Sequence, residues 1–391
     1  MMIIRDIPGY VTGTVVYGEY VVVSTINGWI GVFELSSGNL LICKDLQSTT
    51  IGLINSGFEC GCIIVLYNGT ILRIKIDIDI GTKDMKLDLI VLKESNYNDD
   101  DIISSIATSN DGSMAIIGYL NGKVQIMALP GWEILNEFNT GTGGGDNSIQ
   151  KVSISIINDN IEIVIISTID GIISLWINGK NGIYEKIWNG SSGFKIPIIT
   201  SLTIIYNESL NDEIYWACGG LEGKIAVGKF QLSSSIMGEP TVTLTTAALG
   251  APIVTNNKIT NIQMDKYIFR AHRSSNNPPL AGPVGTLIPF GKGKLLSGGQ
   301  NSICLWDLST RRRLRKWDNI TTSPLQSIVD TVHLEGTSSL LVVCCDTSFK
   351  NMPSTMSSTT PSISSPLGNS SMGTPSGASH ENSTIILLNS D

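Results

Sequence analysis

Three cations carry the chemistry this sequence offers. Lys224 lies in the turn of EGKIAVGKF (222–230), and Arg270 and Arg273 belong to KYIFRAHR (266–273). Arg grips carboxylate or phosphate with a planar fork and Lys meets it as a point charge. Three such groups in one concavity suit an acidic or phosphorylated peptide. A solvated basic loop accounts for the two arginines equally well, and the residues alone leave both readings open. Arg311, Arg312, Arg313, Arg315 and Lys316 form a second basic run, read as an exposed strand and turn rather than a site.

No other cluster points to chemistry. GTGGGD (141–146) lacks the Gly-Lys-Ser/Thr ending of a phosphate loop and follows no strand–helix–strand pattern. Cys60 and Cys62, and Cys344 and Cys345, have no partners at zinc spacing, and His272, His333 and His380 are the only histidines. No Gly-x-Ser-x-Gly elbow is present. The expectation is a protein that is not an enzyme and needs neither cofactor nor metal.

The elements that position the cations come from a repeat. A turn pair and a short strand recur as NGWIGVFEL (27–35), NGTILRIKI (68–76), NGKVQIMAL (121–129), DGIISLWIN (170–178), EGKIAVGKF, QNSICLWDL (300–308) and ENSTIILLN (381–389). Each follows another β-rich run, such as YVVVST, CGCIIVL or KLLSGG. Isolated hairpins cannot bury both faces, so such units stack around a ring. With Trp306-Asp307 ending one unit, the pattern is that of WD40 blades, about four strands every 40–45 residues. The fold expected is all-β: a seven-bladed WD40 propeller spanning 1–391 as one domain. The last unit lacks a closing strand, which MIIRDI (2–7) can donate, removing an exposed edge. Trp306, Asp307 and Trp176 are read as structural, with His272 bonded through Ser297 to Trp306.

Two long gaps exceed the period, and a third is charged. Residues 231–283 read as an insertion ending in the basic cluster, and 77–101 as a solvated loop. Residues 347–380 are Ser, Thr, Pro and Gly biased and read as a disordered loop inserted in the last blade. Thr360, Ser365 and Thr374 each precede proline there and are candidate phosphosites; a low-complexity insertion without function is the alternative.

Composition agrees with this picture. Hydrophobic residues make up 42% and charged residues 15%, with 40 glycines for turns. The formal charge of −8 disfavours general phosphate-backbone binding, so no direct DNA binding is expected. Seven cysteines, mostly inside apolar strand patterns, suggest buried free thiols in a reducing compartment. Charges interrupt every apolar run, so no membrane span is expected and an intracellular location is.

The residues from 221 to 314 resemble the WD-repeat mitotic checkpoint family of the budding-uninhibited-by-benzimidazole group. Its members carry E-G-R-V-A-V, K-Y-A-F-K-C-H-R, a proline-valine blade start, then G-G…W-D, a basic run and Leu. Here those places hold EGKIAVGKF, KYIFRAHR, GPVGTLIPF (282–290), GGQNSICLWDL (298–308) and RRRL (311–314). Earlier blades lack the Trp-Asp endings: Phe33-Glu34, Ile74-Lys75 and Met127-Ala128 stand there, and GFKIP (193–197) only echoes the family's segment before blade five. The resemblance implies a spindle-assembly-checkpoint adaptor in the nucleus, at kinetochores and chromosomes, with the cytoplasm a second location. Its implied partners are acidic peptide segments of the checkpoint kinase and its pseudokinase relative, and a phosphorylated kinetochore scaffold. Ubiquitin enters as a further implied partner. Lys224 stands at the E-G-R arginine, a change that loses the bidentate fork, and Arg273 at the C-H-R arginine. The sister RNA-export and nuclear-pore family shares E-G-R and F-K-C-H-R; Gly298-Gly299 and the basic run before Leu314 are closer to the checkpoint branch. An mRNA-export adaptor and a generic WD40 scaffold are the alternatives.

Overall fold

The computed structural model describes residues 3–55, 61–78, 85–94, 102–141, 148–157, 161–178, 182–207, 213–231, 233–234, 240–241, 265–272, 282–300, 302–318, 320, 326–333, 339–346 and 382–389. Among them are seven four-stranded antiparallel sheets, one two-stranded ribbon and no helix. The innermost strands are Val11–Tyr17, Thr50–Asn55, Ile103–Thr108, Ile149–Ile157, Ile199–Asn207, Thr286–Pro289 and Gln326–His333. Each touches its neighbour in turn and the last touches the first, so the sheets form a closed ring of blades.

Burial runs radially. The second and third strands of a blade are covered by neighbouring blades on both faces, so they read as continuous apolar runs. Gly61–Leu66 and Met114–Tyr119 are buried at every position. Outer strands are wet: Leu40–Asp45 and Arg312–Asp318 are largely exposed. The core is therefore a set of interblade layers, one of which joins Trp216 to Ile163, Ile165, Leu175 and Phe230 across blades four and five.

The ring closes through the N-terminus. Ile3–Pro8 is the outer strand of blade seven, pairing antiparallel with Asn382–Asn389. Ile4 and Ile7 are buried from that strand into the layer between blades seven and one, with Val11, Val23 and Phe33.

Two expectations about the gaps change. The stretch 77–101 is not simply a solvated loop, because Met85–Lys93 within it is the outer strand of blade two. The stretch 231–283 is likewise more than an insertion. Its Asp265–Arg270 pairs with Lys224–Gln231 as the outer strand of blade five. Outer strands have a solvated face and accept charges, which disguises them as loops. All of the GTGGGD connector after Gly141, and the 347–380 segment with Thr360, Ser365 and Thr374, lie outside the described residues.

Blade five replaces a third-strand side chain with an aromatic ring. Gly228 stands opposite Trp216, and a Cβ at Gly228 would fall 2.2 Å from the Trp216 Nε1. Trp216 is fully buried and cannot retreat into solvent. Gly228→Ala is therefore expected to cost about 1–3 kcal/mol through overpacking. A urea midpoint equal to that of the wild type would show that the ring has room to move.

Candidate functional site

The outer strand of blade five has two faces with different work. Tyr267, Phe269 and Ala271 pack toward blade six, in one layer with Val227, Leu295, Cys304 and Trp306. The Phe269 and Trp306 ring centroids are 4.6 Å apart. The Tyr267 hydroxyl donates to the Leu308 carbonyl at 3.1 Å, and the Arg311 guanidinium lies 4.5 Å from the Tyr267 ring centroid. Half of KYIFRAHR is thus cement between two blades.

His272 extends this cement. Its Nε2 is 3.0 Å from Ser297 Oγ and its Nδ1 is 2.9 Å from Ser302 Oγ. Trp306 Nε1 donates to the same Ser297 Oγ at 2.8 Å. Since the indole can only donate, Ser297 accepts from Trp306. A neutral imidazole has one N–H and one bare nitrogen, so of the two serine hydroxyls one accepts from the ring and the other donates to it. Burial holds the imidazole at a pKa of about 3, so it is neutral in the folded protein. Asp307 caps the following turn, accepting from Ser309 N at 2.9 Å, Ser309 Oγ at 2.6 Å and Thr310 N at 3.0 Å. Partial burial would raise its carboxyl pKa, but those hydrogen bonds prevail and hold it below the usual range. His272, Ser297 and Trp306 thus share one buried hydrogen-bond network, and Asp307 caps the turn that follows it.

The other face of the same strand turns toward blade four. Lys224 and Arg270 are directly opposed cross-strand partners, and residues so paired in a sheet share a face. Arg270 is exposed. Lys224 is part-buried and forms an ion pair with Glu222. Glu222 also accepts from the Ile196 amide at 2.6 Å, tying the blade-five turn to the connector from blade four. The Lys224 ammonium foremost holds the Glu222 carboxyl below its ordinary pKa. Lys224 is thus already satisfied within the chain, whereas Arg270 offers its charge outward. Exposed Lys195 lies in the same connector, and Ile196 and Ile268 are exposed apolar neighbours. The Ile268 Cδ1 is 2.7 Å from where a Gly193 Cβ would be, which places it over that connector. Arg273 lies outside the described residues.

The cysteines divide by depth. Cys62, Cys218 and Cys304 are buried free thiols, and Cys43 is an exposed one. Burial pushes Cys62 and Cys218 up to about 12 and Cys304 up to about 11, leaving them unreactive as thiolates.

Seven blades closed by the first strand, with a His–Ser–Trp network at the sixth, define a WD40-type β-propeller. No family model and no curated protein matches the sequence. Solved structures do match. The crystal structure of RRP9 WD40 repeats is 10% identical with a TM-score of 0.56, covering 87% of this chain and 89% of that one. The structure of U3-55K is 10% identical with a TM-score of 0.55, covering 87% of this chain and 90% of that one. Likeness at that identity establishes the shared WD40 fold.

Proposed function

We propose that this chain is a non-enzymatic WD40 adaptor of the spindle assembly checkpoint that holds an acidic peptide segment of a checkpoint kinase. The observation that supports it most is the pairing of the third and outer strands of blade five. That pairing puts Lys224 and Arg270 opposite one another beside the blade-four connector. A peptide docking there meets the exposed charges of Arg270 and Lys195 and two exposed isoleucines. The complementary ligand carries carboxylates interleaved with apolar side chains. A carboxylate aimed at Lys224 must displace Glu222, so Arg270 is the better anchor.

Affinity purification from mitotic cells followed by mass spectrometry should recover the checkpoint kinase or its pseudokinase relative. Arg270→Glu should weaken that capture by about tenfold or more, roughly 1.4 kcal/mol. Its exposure predicts an unchanged melting temperature. Capture unaffected by Arg270→Glu would remove this face from the reading, and recovery of RNA-export partners instead would replace it.

A further inference from the structure

The inner strands of the seven blades wall a central channel of about 990 Å3. Among its described lining residues the one charged side chain is Lys151; the polar remainder is Ser, Thr and Asn. Register shows how odd that lysine is. One position of the inner strand recurs around the ring, opposite a fixed place on the second strand. It is held by Gly13, Gly52, Ser105, Lys151, Ser201, Thr286 and Asp330 in blades one to seven.

Most of these residues are small because the site is tight. A Cβ at Gly13 would lie 2.5 Å from the Leu53 backbone nitrogen, and one at Gly52 would lie 3.0 Å from Ile106 Cγ2. The serines bridge to the next blade. Val152 N donates to Ser105 Oγ at 3.2 Å, and Ser201 Oγ donates to the Val284 carbonyl at 3.1 Å. Blade four puts a four-carbon cation in this place. Lys151 keeps partial exposure, and the channel is what it lines. None of the ion pairs formed by the described residues includes it. Burial pulls its ammonium below the usual lysine range. A cation partly withdrawn from water favours a counter-charge beside it.

We propose that the central channel is an anion site, in which Lys151 supplies the charge for a compact oxyanion of the phosphate class. Ser153, two residues along the same strand and also lining the channel, supplies a hydroxyl donor. The site is separate from the blade-five face and does not depend on the adaptor reading.

The probe is inorganic phosphate, titrated against chloride at matched ionic strength and pH, with 31P NMR line width and melting temperature as readouts. The wild type should show saturable 31P broadening and a melting temperature that rises with the logarithm of phosphate concentration. Lys151→Met keeps the stem and removes the charge. It should abolish both responses and melt, without phosphate, no lower than the wild type. Lys151→Gln serves if the methionine variant fails to fold, and Lys195→Met should leave both responses intact. Broadening retained in the Lys151 variant would overturn the proposal, as would its absence in the wild type. A phosphate-free Lys151→Met melting well below the wild type, matched by Asp330→Asn, would also overturn it. That result would mean the chain neutralises Lys151 itself.

Discussion

Removing residues 1–8 should leave a protein that no longer unfolds cooperatively as the intact ring does. The deleted strand supplies Ile4 and Ile7, which are 2% and 0% exposed. Truncating a buried Ile typically costs about 2–5 kcal/mol. Two of them approach the whole stability of an ordinary domain, roughly 5–15 kcal/mol. The deletion also strips the pairing from Asn382–Asn389 and turns it into an open edge that can recruit a second chain. The expected result is a urea midpoint far below that of the wild type, with higher-order species by light scattering. A synthetic peptide of residues 1–10 should restore the midpoint in part. An unchanged midpoint after deletion would mean the other six blades hold blade seven without its outer strand.

The milder variant Ile7→Ala separates packing from pairing. It keeps the strand but empties one side-chain site in the layer with Val11, Val23 and Phe33. Its loss should fall within the range for a single buried Ile, with the protein still monomeric.

How much of this was legible follows the radial burial gradient. The middle hairpins announced themselves because both their faces are covered, as in GCIIVL and MAIIGY. Ring closure followed from counting strands, since seven hairpins with one partner short leave the N-terminal run as the donor. The outer strands were harder. Met85–Lys93 carries Lys86 and Asp88 on a wet face where they form an ion pair, and charge density there looked like a loop. Asp265–Arg270 has the same disguise, although Tyr267 and Phe269 alternate with Lys266, Ile268 and Arg270. That period-two alternation was the signal available for a strand with one face on blade six. The candidate peptide site was only half visible. Lys224 and Arg270 could be nominated by type, but the Glu222 pair that satisfies Lys224 depends on how the turn folds back on the connector. Lys151 gave no sequence signal, because its oddity exists only when seven registers are laid side by side.

His272→Ala should be the most damaging single substitution near the candidate site, and pH should identify it. The imidazole is 1% exposed and holds Ser297 and Ser302, while Ser297 in turn accepts from Trp306. Removing it empties a ring-sized space and leaves buried hydroxyls short of partners. Each such group costs about 1–3 kcal/mol, so a total loss of about 3 kcal/mol or more is expected. Gly299→Ala attacks the same place sterically, since a Cβ there would lie 2.3 Å from His272 Cγ. The pH test distinguishes this network from simple packing. The folded-state pKa is about 3, against an ordinary value of 6.5. Between those values the unfolded chain binds a proton that the folded protein refuses. Stability is therefore fully present above about pH 6.5 and falls, as pH drops toward 3, by about 1.4 kcal/mol per unit from this group. His272→Gln should flatten that slope by the same amount, read from urea unfolding at a series of pH values. An identical slope in the variant would show that His272 is charged, or solvated, in the folded ring.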